Sequence, residues 1–136
     1  MPQITLLIVI AAAFALPHSL SLGAEQTKDL LKTVKKNVDE EKAVLVDVRE
    51  KSEWDDGHIE GSVFLPLSTL KKKSLTKEQL EEALPEDRIL YTFCVVGKRS
   101  VAAGEVLEKF GYEVRPLKPG YKELLRAGFK KAKDKK

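Results

Sequence analysis

The sequence predicts an α/β fold in which a mainly parallel central sheet carries helices on both faces. Short apolar runs at 43–48, 63–65, 89–93 and 112–117 alternate with stretches of helical periodicity. Strands that alternate with helices form parallel sheets whose two faces are both covered. The length of 136 residues leaves room for one domain.

The first half of the chain predicts two helices and two strands. Apolar residues recur at helical spacing over 30–38, with lysines on the opposite face. The run 43–48 has the β-branched composition of a buried strand. A short helix is expected over 50–56, and a short strand over 63–65 that Pro66 stops.

The second half continues the alternation. A capping box opens a helix over 76–84, and the apolar run 89–93 predicts a buried strand. An amphipathic helix covers 102–110, a further strand covers 112–117, and a last helix carries the apolar residues of 121–129. Ligands of such sheets bind beyond the carboxyl ends of the strands.

The amino-terminal segment has the composition of a targeting signal. Residues 1–24 contain no Lys, Arg, Asp or Glu, and an apolar run extends from Ile4 to Leu16. This run is shorter than the about 20 residues that a membrane-spanning helix needs. We therefore expect a cleaved signal peptide over 1–24, an exported protein that is periplasmic or secreted, and no stable membrane span after cleavage. An uncleaved anchor or a misassigned start codon is the alternative.

The remaining chain divides into a domain over 25–129 and a basic tail over 130–136. The tail holds five lysines and one aspartate, without aromatic residues that would stack on bases. We expect it to be disordered and solvated, and we expect no nucleic-acid partner.

The chain contains a single cysteine, Cys94, directly after the predicted strand 89–93. It has no second cysteine with which to form an intramolecular disulfide, so an exported thiol of this kind is a candidate nucleophile. The helix that follows favours negative charge at its start, which lowers the pKa of a thiol. The alternative is a small buried apolar residue that ends a strand. One cysteine and two histidines, one of them His18, leave no zinc ligand set, so no metal is expected.

The residues after Cys94 predict an anion-binding loop. Gly97 allows the segment to curl so that the N–H groups of Val95 to Ser100 point inward. Lys98 and Arg99 add positive charge at its rim. Ser100 either caps the helix or donates a hydrogen bond to the sulfur.

Several motifs resemble the rhodanese family over about residues 28 to 129. They are Val46-Asp47-Val48-Arg49-Glu50, Glu53-Trp54, Gly57-His58-Ile59-Glu60-Gly61-Ser62, Leu65-Pro66-Leu67, the loop Cys94 to Ser100, and the closing set Leu117, Gly120 and Gly128. The resemblance implies the rhodanese-like three-layer fold and sulfurtransferase activity.

The resemblance also implies the chemistry. Cys94 is the catalytic residue that carries sulfur as a persulfide, without a cofactor. The donor is a small anion such as thiosulfate, which Val95, Val96, Gly97, Lys98, Arg99 and Ser100 bind. The acceptor is cyanide or a thiol, with a protein thiol as one option. A module that carries sulfur to one partner without fast turnover is the alternative function.

Three other residues receive supporting roles through the resemblance. Asp47 and Arg49 tie the sheet edge to the loops, with a general acid or base role for Asp47 as the alternative, and His58 fixes a loop.

Four residues separate Cys94 from Arg99, whereas related phosphatases and arsenate reductases have five. The shorter loop favours sulfur transfer over those two activities.

Overall fold

The computed structural model describes residues 24–134, so the predicted signal peptide lies outside the described residues except for Ala24. The described elements, in chain order, are α1 (Leu31–Asp39), β1 (Ala43–Asp47), α2 (Lys51–Asp56), β2 (Val63–Phe64), α3 (Leu67–Leu70), α4 (Lys77–Ala83), β3 (Ile89–Phe93), α5 (Lys98–Lys109) and α6 (Tyr121–Arg126).

The sheet is parallel, with the strand order β2-β1-β3. Strand β1 is central and pairs along its whole length with β3, from Ala43 opposite Ile89 to Asp47 opposite Phe93. The predicted parallel sheet is therefore confirmed. This register ends both strands at the same edge.

Two apolar cores lie on the two faces of the sheet, which confirms the predicted layers. Successive side chains of a strand point to opposite faces. Val46 of β1 accordingly joins a core with Leu80 of α4 and Leu107 of α5. Leu45 joins the other core, with residues of α1 and α6 that include Leu124.

The prediction of a regular strand over 112–117 is wrong. Within it, Val114 forms an isolated parallel bridge with Leu90, and the Leu117 amide donates to the Thr92 carbonyl at 2.8 Å. The Arg115 amide also donates to the Leu90 carbonyl at 2.8 Å, so the segment follows the edge of β3 with a few hydrogen bonds but without a continuous ladder.

The carboxyl-terminal part departs from prediction in two places. Helix α6 ends at Arg126, so Phe129 is buried beyond the helix, after Gly128 turns the chain with a φ of +102°. Residues 130–132 also form backbone pairs, although the sequence predicted a disordered tail over 130–136. Their backbone pairs with the segment 58–60 through an Ile59–Lys131 bridge, while the lysine side chains stay exposed.

Helix α3 was not predicted, because four residues are too few to show a helical period. In residues 24–134, no helix combines the length and apolar character that crossing a bilayer requires.

The predicted capping box at the start of α4 is confirmed and is testable. Thr76 Oγ1 accepts from the Gln79 amide at 3.3 Å, and Gln79 Oε1 accepts from the Thr76 amide at 3.0 Å. We expect Thr76→Ala to lower the free energy of unfolding by about 1 kcal/mol, measured by urea denaturation. Thr76→Ser keeps the hydroxyl and should retain most of the stability. Equal losses in both variants would contradict the capping role.

Candidate active site

The site forms where β1 and β3 end side by side. Asp47 and Phe93 are paired at this edge, and Cys94 follows Phe93 directly. Parallel strands place their carboxyl ends together, which is the usual ligand-binding edge of such a sheet. The sheet register thereby brings the cysteine loop next to the residues that follow β1.

Backbone amides surround the Cys94 sulfur. The Gly97 amide donates to Sγ at 3.2 Å, and the nearby amides of Ser100, Arg99 and Val96 also lower the pKa of the thiol. Burial raises the pKa of the Cys94 thiol, but these amides lower it further than burial raises it. The pKa therefore lies below the ordinary cysteine value, as expected for a nucleophilic thiol.

The sulfur is sheltered from solvent, whereas the outer side of the loop is not. Cys94 is only 1 % exposed and contacts the core that also contains Val46. Val95 and Val96 are 48 % and 69 % exposed, and Lys98 is exposed at the start of α5. The sulfur therefore lies at the base of the loop, below its exposed side chains.

Gly97 is required by the shape of the loop. Its φ is +93°, in the left-handed region that side chains disfavour. A Cβ here would lie 3.1 Å from the Lys118 Cα and would collide with the Gln26 side chain. Both the angle and the space therefore restrict this position to glycine.

Both roles predicted for the Ser100 hydroxyl are wrong. Its Oγ lies 2.8 Å from the Gly97 carbonyl and 2.7 Å from the Leu117 carbonyl, so it neither caps the helix nor bonds the sulfur. The hydroxyl instead joins the loop to the chain segment at the edge of β3. It is the Ser100 amide that faces Cys94.

Arg99 is paired with Glu53, a residue to which the sequence assigned no role. Nη1 donates to Oε1 at 2.6 Å and Nη2 donates to Oε2 at 3.1 Å, and both side chains are about one-third exposed. The hydrogen bond from Arg99 lowers the pKa of the Glu53 carboxyl. No spacing in the sequence relates the two residues, which are 46 positions apart.

Asp47 and Arg49 form a buried ion pair beside the loop. Arg49 Nη2 donates to Asp47 Oδ2 at 2.8 Å and to the Gly57 carbonyl at 2.8 Å. Its guanidinium also lies 4.3 Å from the centre of the Tyr121 ring. The pair thus connects β1, the end of α2 and the start of α6.

His58 packs against Trp54. The rings are stacked with centroids 3.7 Å apart, and His58 Nδ1 lies 3.3 Å from the Trp54 carbonyl oxygen. The His58 carbonyl accepts from the Ala132 amide at 2.8 Å. Within residues 24–134, no group of three or more His, Cys, Asp or Glu residues is arranged to hold a metal ion.

The start of α6 packs directly on the cysteine loop. The Tyr121 amide donates to the Cys94 carbonyl at 3.1 Å. A Cβ on Gly120 would lie 2.6 Å from that carbonyl oxygen and would also collide with the Val95 carbonyl. A cavity of about 230 Å³ lies here, and its lining residues are Arg49, Val95, Val96, Tyr121, Lys122 and Glu123.

A model of the rhodanese-like domain matches residues 30–127. The chain belongs to the rhodanese family. It is 37% identical over 83 residues to the uncharacterized protein YqhL of Bacillus subtilis, covering 60% of each chain. It is 31% identical over 86 residues to a Schizosaccharomyces pombe protein named "Putative thiosulfate sulfurtransferase, mitochondrial", covering 58% of this chain and 60% of that one. The chain thus spans about three-fifths of these relatives.

A solved structure agrees with the family assignment. The human single-domain sulfurtransferase TSTD1 superposes with a TM-score of 0.63 at 28% identity, over 76% of this chain and 97% of that one. The three-layer fold implied by the sequence motifs is therefore confirmed. The loop with Cys94 at its base contains the candidate nucleophile of the domain.

The low thiol pKa is testable because the chain has one cysteine. Thiolate absorbance at 240 nm, followed against pH, should give a midpoint below about 8.5. Gly97→Ala should raise the midpoint, since it displaces an amide that bonds the sulfur. Gly111→Ala is the matched control, because Gly111 also has a φ of +93° but nothing within 4 Å of its would-be Cβ. A wild-type midpoint at or above 8.5 would contradict thiolate stabilisation.

The buried ion pair is testable by a double-mutant cycle. Asp47→Asn leaves the Arg49 charge buried without a counter-charge, so we expect the free energy of unfolding to fall by about 3 kcal/mol. Adding Arg49→Met should recover part of this loss, because the unpaired charge is then removed. Chemical denaturation of the wild type, the two single variants and the double variant measures the coupling energy. Additive effects would show that the two side chains act independently.

Proposed function

We propose that the chain is a sulfurtransferase that moves sulfane sulfur through a Cys94 persulfide. The donor is thiosulfate or a related small anion, and the acceptor is cyanide or a thiol. The observation that carries this proposal is the group of amides on the Cys94 sulfur, with Gly97 N at 3.2 Å. Family membership and the likeness to the human sulfurtransferase support it.

The proposed reaction has two covalent steps. The Cys94 thiolate attacks the outer sulfur of thiosulfate, the S–S bond of the donor breaks, and sulfite leaves with the electron pair. Cyanide or a thiolate then attacks the outer sulfur of the persulfide and returns the Cys94 thiolate. The negative charge lies on Sγ in the thiolate and on the outer sulfur in the persulfide, and the inward N–H groups of the loop stabilise an anion at either sulfur. The cycle uses no cofactor or metal.

A sulfur-carrying module that serves a partner protein is the second candidate. It is favoured by the exposure of Val95 and Val96, two large apolar side chains beside the nucleophile. Apolar contact of this kind suits an acceptor thiol that is presented on a protein surface better than it suits a small hydrophilic ion.

We also propose that the mature protein acts outside the cytoplasm. The support is the charge-free, apolar segment that ends near Ala24. Mass determination of the protein recovered from the extracytoplasmic fraction tests this directly. Recovery of the uncleaved chain in the cytoplasm would contradict it.

Incubation with thiosulfate should add about 32 Da to wild-type protein, on the peptide that contains Cys94, and nothing to Cys94→Ser. Addition of cyanide should remove that mass and form thiocyanate. The absence of both products would overturn the proposed activity. Slow discharge to cyanide with rapid discharge to a co-purifying protein would favour the carrier function. Aryl phosphate hydrolysis that Cys94→Ser abolishes would indicate a phosphatase instead.

A further inference from the structure

Glu53 binds the Arg99 guanidinium, which would otherwise be available to an anionic donor. The two side chains form two hydrogen bonds, at 2.6 and 3.1 Å. Glu53 Oε1 also accepts from the Glu50 amide at 3.2 Å. The Glu50 carboxylate is itself held by the Ser68 hydroxyl at 2.7 Å. The Glu53 carboxylate is thus fixed from two sides and does not depend on Arg99 alone for its position.

Carboxylates balance both arginine charges of the site, while the Lys98 and Lys122 side chains stay exposed at its rim. The Arg49 charge is already balanced by Asp47 at 2.8 Å, and the Arg99 charge is balanced by Glu53. Directly at Cys94, neutral backbone amides stabilise one negative charge on the sulfur. Because Glu53 balances its charge, the Arg99 guanidinium attracts a donor with two negative charges less strongly than a free arginine would.

We propose that Glu53 is a specificity-determining residue that favours sulfane-sulfur donors with one negative charge over the dianion thiosulfate. Organic persulfides and thiosulfonates are donors of this class. The inference rests on the proposed sulfur transfer at Cys94. With a thiosulfonate, the Cys94 thiolate takes the terminal sulfur, the S–S bond of the donor breaks, and a sulfinate leaves with the electron pair.

A comparison of two donors of similar size separates the effect of donor charge from the effect of donor shape. Methanethiosulfonate carries a methyl group where thiosulfate carries a charged oxygen. Steady-state kinetics with a fixed acceptor gives kcat and KM for each donor. Glu53→Gln keeps an oxygen for the Glu50 amide but removes the charge. It should lower the KM for thiosulfate about fivefold, with kcat nearly unchanged. The KM for methanethiosulfonate should change by less than about twofold, since one fewer charge is involved.

Two controls tie the effect to the Arg99 contact. Asp55→Asn removes one negative charge from the same helix, where Asp55 pairs with Lys51 at 2.7 Å, and should leave the preference between donors unchanged. In an Arg99→Gln background, Glu53→Gln should lose its effect on thiosulfate. The fivefold gain should also shrink at about 0.5 M salt, because screening weakens charge effects.

Several outcomes overturn the inference. An unchanged ratio of kcat/KM for the two donors would show that Glu53 does not select by charge. A higher KM for both donors in Glu53→Gln would assign it the opposite role, that of holding Arg99 for substrate binding. In both cases the transfer of sulfur to Cys94 would stand. Failure of the wild type to take sulfur from either donor would instead overturn the proposed function together with this inference.

Discussion

The geometry of the site depends on one buried cation. Arg49 is almost completely enclosed, and a charge in that position is tolerated only when it is paired and hydrogen-bonded. Asp47, the Gly57 carbonyl and the Tyr121 ring meet this need from three different parts of the chain. Tyr121 in turn donates its amide to the Cys94 carbonyl. The shape of the cysteine loop is therefore linked, through two contacts, to the need to satisfy Arg49.

Cys94 is subject to two opposing effects. It belongs to an apolar core, and burial of this kind disfavours a thiolate, yet four amides stabilise the same sulfur. The amides prevail because Gly97 turns the chain and α5 begins immediately afterwards, so that their N–H groups point inward. The sequence left two interpretations of Cys94 open, and the residue has a feature of each: it lies in the core, and its pKa is lowered as a nucleophile requires.

Features set by neighbouring residues could be predicted from the sequence. Strands β1 and β3, the capping box of α4 and the turn at Gly97 all follow from local composition and spacing. The edge segment 112–117 could not be predicted correctly, because its β-rich composition does not show that it pairs with β3 through a single bridge. Contacts between distant side chains carried no signal either. The pairing of Arg99 with Glu53 and the contact of Ser100 with Leu117 depend on how whole helices pack.

The close fit at Gly120 makes the loop and α6 a single mechanical unit. With no room for even one carbon atom between Gly120 and the carbonyls of Cys94 and Val95, the loop cannot move towards the helix without displacing it. Helix α6 is rooted in the opposite core through Leu124, which is completely buried. The loop that begins in one core is thereby anchored, through α6, to the core that α1 shares on the other face of the sheet.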